Sequence, residues 1–212
     1  AVGWSDAGPV VWALHTDRRT HWDPAAFSTP DLPGLVHARL IEDSGNRILR
    51  QLRTCALSYN CFTAQNTFYC RDEAAIPASV MCNARCVGCI SDQPEDGPPA
   101  SHERMDDPPL AEEMARVGIH HLENATGRVM VSFGQGCEGE PLTRWKVIER
   151  AIRQMRAATG RGSININTNG SLPRGLEALV AAGLDAVRIS LNSANPALYR
   201  AYYRPVGYDF SD

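Results

Sequence analysis

The stretch SININTNGS, residues 163–171, alternates Ile164 and Ile166 with Asn165, Asn167 and Asn169, and turns at Asn169-Gly170. A period of two marks a strand with two different faces, and Asn-Gly marks its end. The next strand, AVRISL (186–191), repeats the pattern, with Val187, Ile189 and Leu191 against Arg188, Ser190 and then Asn192. A helix from about Leu172 to Ala182 lies between the two, so they pair in parallel through a right-handed crossover. Parallel strands buried on both faces read as continuous Val, Ile and Leu, and these do not. Helices on the Ile and Val side leave Asn, Arg and Ser facing the other. Burying such groups unpaired costs about 1–3 kcal/mol each, so that side is expected to be a concave face holding a polar ligand. An ordinary amphipathic sheet with one face in water is the alternative.

The same unit recurs along the chain. RVMVSF (128–133) is the second strand, and the helix after it sets Val147, Ile148, Ala151, Ile152 and Met155 on one side and Arg150, Arg153 and Arg156 on another. The first strand is placed at Ala78–Met81. Asp107 before Pro108 is the start signal of the helix in PLAEEMARVGIHHL, whose last turn carries His120 and His121 as groups that suit the negative end of the helix dipole. A fourth helix begins near Pro196. Between the first strand and first helix, SDQPEDGPPASHERMDDPP (91–109) reads as a solvated loop. Ahead of all this, a short hairpin around SDAGP precedes a loop, and residues 46–59 set Ile48, Leu52, Cys55 and Tyr59 at helical spacing.

Composition limits the partners. Among 212 residues, 21 Lys and Arg stand against 24 Asp and Glu, too even a balance to attract nucleic acid or an anionic membrane. No apolar run approaches the roughly 18–20 residues of a membrane span and no positive leader opens the chain, so a cytoplasmic protein is expected. Seven cysteines, an odd number unevenly spread, fit a reducing compartment and a metal site better than a disulfide framework.

Three of them, Cys82, Cys86 and Cys89, fall within MCNARCVGCISDQ (81–93), after the first strand. The carboxyl ends of parallel strands are where such folds place their chemistry. Spacings of three and two intervening residues let one loop wrap a face of a cubane, each sulfur on its own iron, leaving a fourth iron open. A structural zinc would need a fourth ligand, which Cys70, His102 or Cys137 could supply. Cys55, Cys61 and Cys70 could hold an auxiliary cluster, and Cys137 could serve as packing residue, substrate-handling thiol or extra ligand.

CNARCVGC resembles the CxxxCxxC signature of the radical S-adenosylmethionine (SAM) superfamily. VSFGQGCEGEPLT is similar to the family's Gly-Gly-Glu-Pro segment after the second strand, and NTNGS and RISLNS close the third and fourth strands as the family's do. The resemblance implies an α/β fold, a partial (βα)6 TIM-like half-barrel of about four units over residues 77–212, with a small α+β segment at 1–76, the whole a fragment of a longer protein. It implies a 4Fe-4S cluster held by Cys82, Cys86 and Cys89. Gly139, Glu140 and Pro141 would meet the methionine amino group, Ser190 and Asn192 the ribose hydroxyls, and Asn169 the same rim; Arg188 is the candidate for an anionic group of SAM or substrate. Reductive cleavage of SAM to a 5'-deoxyadenosyl radical is the implied activity, with a flavodoxin- or ferredoxin-like reductant as partner and no identified substrate. Gly88 departs from the family, which often has an aromatic residue there against adenine; Val87, Ile90 or backbone would have to substitute. A non-catalytic zinc-binding or closed iron-sulfur module is the competing reading.

Overall fold

The computed structural model describes residues 2–11, 13, 14, 16, 23–93 and 97–212. An antiparallel hairpin, β1 (Val2–Ser5) and β2 (Gly8–Val11), opens the chain as expected; residues 12, 15 and 17–22 of the predicted loop that follows lie outside the described residues, as do 94–96 of the loop at 91–109. Three helices come next, α1 (Leu32–Glu42), α2 (Arg47–Leu57) and α3 (Phe62–Tyr69). The remaining elements are β3 (Arg71–Ala75), α4 (Ala111–Asn124), β4 (Thr126–Phe133), α5 (Trp145–Ala158), β5 (Ser163–Thr168), α6 (Pro173–Ala182), β6 (Ala186–Ile189) and α7 (Pro196–Tyr203). The strands β3-β4-β5-β6 form one parallel sheet in chain order, the arrangement expected of a partial TIM-like half-barrel.

The register puts the two faces where alternation says. Ala75 pairs with Ser132, Ser132 with Asn165 and Asn167 with Arg188, so the polar groups of β4, β5 and β6 share one face. Ala74, Val131, Phe133, Ile164 and Ile166 on the other are buried with Met114, Ile148, Ile152 and Met155 of the helices. On the polar face, Arg188 of β6 donates to Glu73 of β3 at 3.0 Å, although two strands lie between them. An ion pair between the outermost strands requires the sheet to curl toward itself, as parallel sheets with a steady twist do.

Two starts differ from the sequence reading. The first strand is Arg71–Ala75, not Ala78–Met81. Pro77 has no N–H for a ladder, and the amides of Ala78 and Ser79 are given to Glu138 instead. The true strand, RDEAA, hides because its polar groups are satisfied by tertiary partners: Arg71 lies over the Phe27 and Tyr69 rings at 4.6 and 4.3 Å, and Asp72, at φ 50°, forms an irregularity that accepts the Arg128 amide at 3.3 Å. Helix α4 begins at Ala111 rather than at Pro108, because Glu113 reaches back to the Leu110 amide at 2.8 Å. Glu113 also accepts from Arg47 Nη2 at 2.6 Å and from the Arg47 amide at 3.0 Å, fixing α4 to the start of α2. The amino-terminal helices share the core, since Leu32, Val36, Ile48, Leu49 and Leu52 belong to the same buried cluster as the sheet.

Candidate cofactor site

Beyond β3 the chain runs through buried Ile76 and Ala78 into the cysteine loop. Its root is held by Glu138, a buried carboxylate that accepts the amides of Ala78 and Ser79 on one oxygen (2.7 and 2.9 Å) and those of Gly134 and Gln135 on the other (2.6 and 3.2 Å). Burial outweighs these four donors and pushes its carboxyl up to about 7. The next residues lie against the loop, with Gly139 N donating to Ser79 O at 2.7 Å and Glu140 N to Met81 O at 2.9 Å. A Cβ at Gly139 would run into the Met81 carbonyl, so only glycine permits this approach.

The other side of the loop is strapped to the end of α7: the amides of Arg85 and Val87 donate to the carbonyls of Tyr203 and Tyr202, both at 2.9 Å. A side chain at position 88 would meet the Tyr202 hydroxyl. The space that an aromatic residue before the third cysteine would fill is therefore bordered by an aromatic residue from another element, a physical account of Gly88.

Cys82, Cys86 and Cys89 are free, partly buried thiols that line one cavity of about 180 Å³ with Glu138, Gly139, Glu140, Pro141, Asn169 and Ser190. Burial pushes the Cys82 thiol up, and burial with the neighbouring Cys82 and Cys89 pushes Cys86 to about 11. Three thiolates here need a cation to hold them. Among the described residues no group of three His, Cys, Asp or Glu side chains is placed to hold a single metal ion. The proposed fourth zinc ligands stand elsewhere. Cys137 is buried in the core beside Cys55, and the His102 ring packs on Tyr59 at 4.8 Å. Cys70, which has Arg39, Arg161 and Glu42 for charged neighbours, does not join Cys55 and Cys61.

Glu140 is committed within the protein. Its carboxylate accepts Leu142 N at 2.9 Å, Thr168 Oγ1 at 2.5 Å and Asn169 N at 2.8 Å, tying the end of β4 to the end of β5. Asn169 Nδ2 donates to Asn83 Oδ1 at 2.8 Å, and Asn83 Nδ2 to Ser171 Oγ at 2.8 Å, so Asn83, within the cysteine loop, is a site residue the sequence reading missed. Two predicted site residues lie outside the cavity lining. Arg188 is still inside β6, paired to Glu73, and Asn192 lines a separate shallow pocket with Val87 and Tyr202. Glu138 and Arg104 were also missed; an Arg in a polar loop and an Asn between cysteines carry no signal until the loops meet.

The chain matches the model of the Radical SAM superfamily over residues 76–212. The chain belongs to the radical SAM superfamily. Its relatives include the GTP 3',8-cyclase of Heliobacterium modesticaldum, 34% identical over 139 residues, which are 64% of this chain and 39% of that protein. The molybdenum cofactor biosynthesis protein 1 of Bos taurus is 32% identical over 134 residues, 63% of this chain and 19% of that protein. The human protein of the same name is 28% identical over 181 residues, 85% of this chain and 27% of the relative. The chain thus spans less than two fifths of the length of these relatives. The cofactors of this family are a 4Fe-4S cluster and SAM. Among the described residues no helix is long and apolar enough to cross a membrane.

Proposed function

We propose that Cys82, Cys86 and Cys89 hold the 4Fe-4S cluster and that Gly139, Glu140, Pro141, Asn169 and Ser190 form the wall against which SAM is seated. The observation that carries this reading is the convergence of three unpaired thiols and two strand-end loops on one cavity. When bound, the two cofactors supply one-electron cleavage of the sulfonium, releasing methionine and a 5'-deoxyadenosyl radical that takes hydrogen from a substrate. The protein's share is positional. Glu138 fixes the root of the cysteine loop, and backbone carbonyls beside Gly139 offer acceptors to an ammonium. The polar lumen face, with Glu73, Asn167 and Arg188, faces the side where substrate would lie; Arg188 and Asn192 stand outside the cofactor set. The names of the relatives make GTP the first substrate to try. Seven free thiols fit a reducing cytoplasm and an external flavodoxin- or ferredoxin-like electron donor. We assign the helices α1–α3, which precede the first sheet strand β3, to an added segment that buttresses the cavity, through Gln51 Nε2 donating to Glu103 O at 2.6 Å.

Anaerobic protein reconstituted with iron and sulfide and reduced with dithionite should give a 4Fe-4S electron paramagnetic resonance signal that changes when SAM is added. The Cys82→Ala, Cys86→Ala, Cys89→Ala triple variant should give none. A colourless zinc-loaded protein, or a signal indifferent to SAM, would overturn the reading.

A further inference from the structure

The loop at 91–109 does more than cross open solvent. His102 N donates to Ile90 O at 3.0 Å, its ring packs on Tyr59, and the Glu103 carbonyl is held by Gln51 of α2. Directly after these anchors Arg104 turns inward, with its side chain only 15% exposed. Its Nε donates to Ser91 Oγ at 3.0 Å and its Nη1 to the Val80 carbonyl at 3.3 Å, while its Nη2 lies 3.7 Å from Cys89 Sγ. It is the one cationic side chain among the described residues that line the cavity, in a wall otherwise supplied with thiols and carboxylates. Asp92, 3.5 Å away and more than half exposed, is its counter-charge on the solvent side.

From this placement we infer that Arg104 is a positioning residue for the cluster's electronics, setting its reduction potential through an N–H directed at the Cys89 sulfur and a fixed positive charge beside it. The inference rests on the cluster assignment above. Donors to the sulfurs and nearby cations favour the more negative, reduced state of an iron-sulfur centre, and a guanidinium held by two other acceptors delivers both without reorganising. The consequence is a cluster that accepts its electron more easily than three thiolates in an acid-lined cavity otherwise would.

The test is a redox titration of the reconstituted full chain without SAM, followed by electron paramagnetic resonance, on wild type, Arg104→Gln and Arg104→Lys. The midpoint should move to more negative potential in Arg104→Gln, and by less in Arg104→Lys, which keeps the charge but loses the fork. Midpoints that coincide with wild type in both loaded variants would overturn the inference. If Arg104→Gln loads no cluster, the lysine variant alone decides, an unmoved midpoint counting against. A wild type that assembles no cluster responsive to SAM would instead sink the cofactor reading on which this one stands.

Discussion

His121 illustrates how a single residue's role depends on what folds around it. In sequence it ends a helix, where a cation suits the dipole; in the fold it is fully buried, Nε2 donates to the Asp72 carbonyl at 3.0 Å, and Nδ1 has no partner among the described residues. Burial, ahead of all other influences, lowers its affinity for a proton, so the folded ring is neutral and acts by holding the irregularity in β3. The unfolded chain binds that proton near the ordinary value of about 6.5, the folded chain only at lower pH, so the unfolded state binds more protons in that interval and stability falls as pH drops through it. Thermal unfolding between about pH 7.5 and about pH 5.5 should therefore show a decline in melting temperature that is flatter in His121→Gln. Equal slopes in the two proteins would assign the decline to other groups. Cys137 is a similar case, for its place next to the Gly139–Pro141 segment suggests a ligand and its burial beside Cys55 makes it core.

Between elements, Glu113 of α4 is tied to Arg47 of α2. The carboxylate accepts two backbone amides and a guanidinium, which hold it down to about 2 against the opposing effect of burial. A carboxyl depressed in this way stabilises the fold above its unfolded value of about 4.5 and loses that contribution as pH falls toward its folded value. Glu113→Gln should cost about 2–3 kcal/mol at neutral pH, and the difference from wild type should shrink as unfolding is measured at more acid pH. A cost that stays constant down to about pH 3 would mean that the charge is not the source of the stability. The sequence offered a rule for this helix start, Asp107 before Pro108, and the rule lost because Glu113 satisfies the Leu110 amide three residues later.

At the scale of the molecule, the polar lumen face is joined across its width by Glu73, which accepts from Ser132 at 2.5 Å, Gln135 at 3.1 Å and Arg188 at 3.0 Å. The Arg188 side chain is about half exposed, so the pair contributes little by itself. A double-mutant cycle with Glu73→Gln and Arg188→Ala, followed by denaturant unfolding, should give a coupling below about 1 kcal/mol. A value of several kcal/mol would make the pair a structural clamp.

The alternation in SININT and AVRISL, with a helix between them, was enough to indicate parallel strands with one apolar face under helices and one polar face, because successive side chains of a strand point to opposite sides. The cysteine spacing was likewise legible, since ligand geometry is set within one loop. Sequence could not reveal β3, whose charged RDEAA is a strand only because Phe27, Tyr69 and Arg128 meet its side chains and backbone. Nor could it show that Glu138 rather than Glu140 anchors the cysteine loop, that Arg188 stops short of the cavity, or that Arg104 enters it. Those facts depend on which strand-end loops arrive together. Local pattern determines the faces and the motif; long-range closure decides which polar groups find one another.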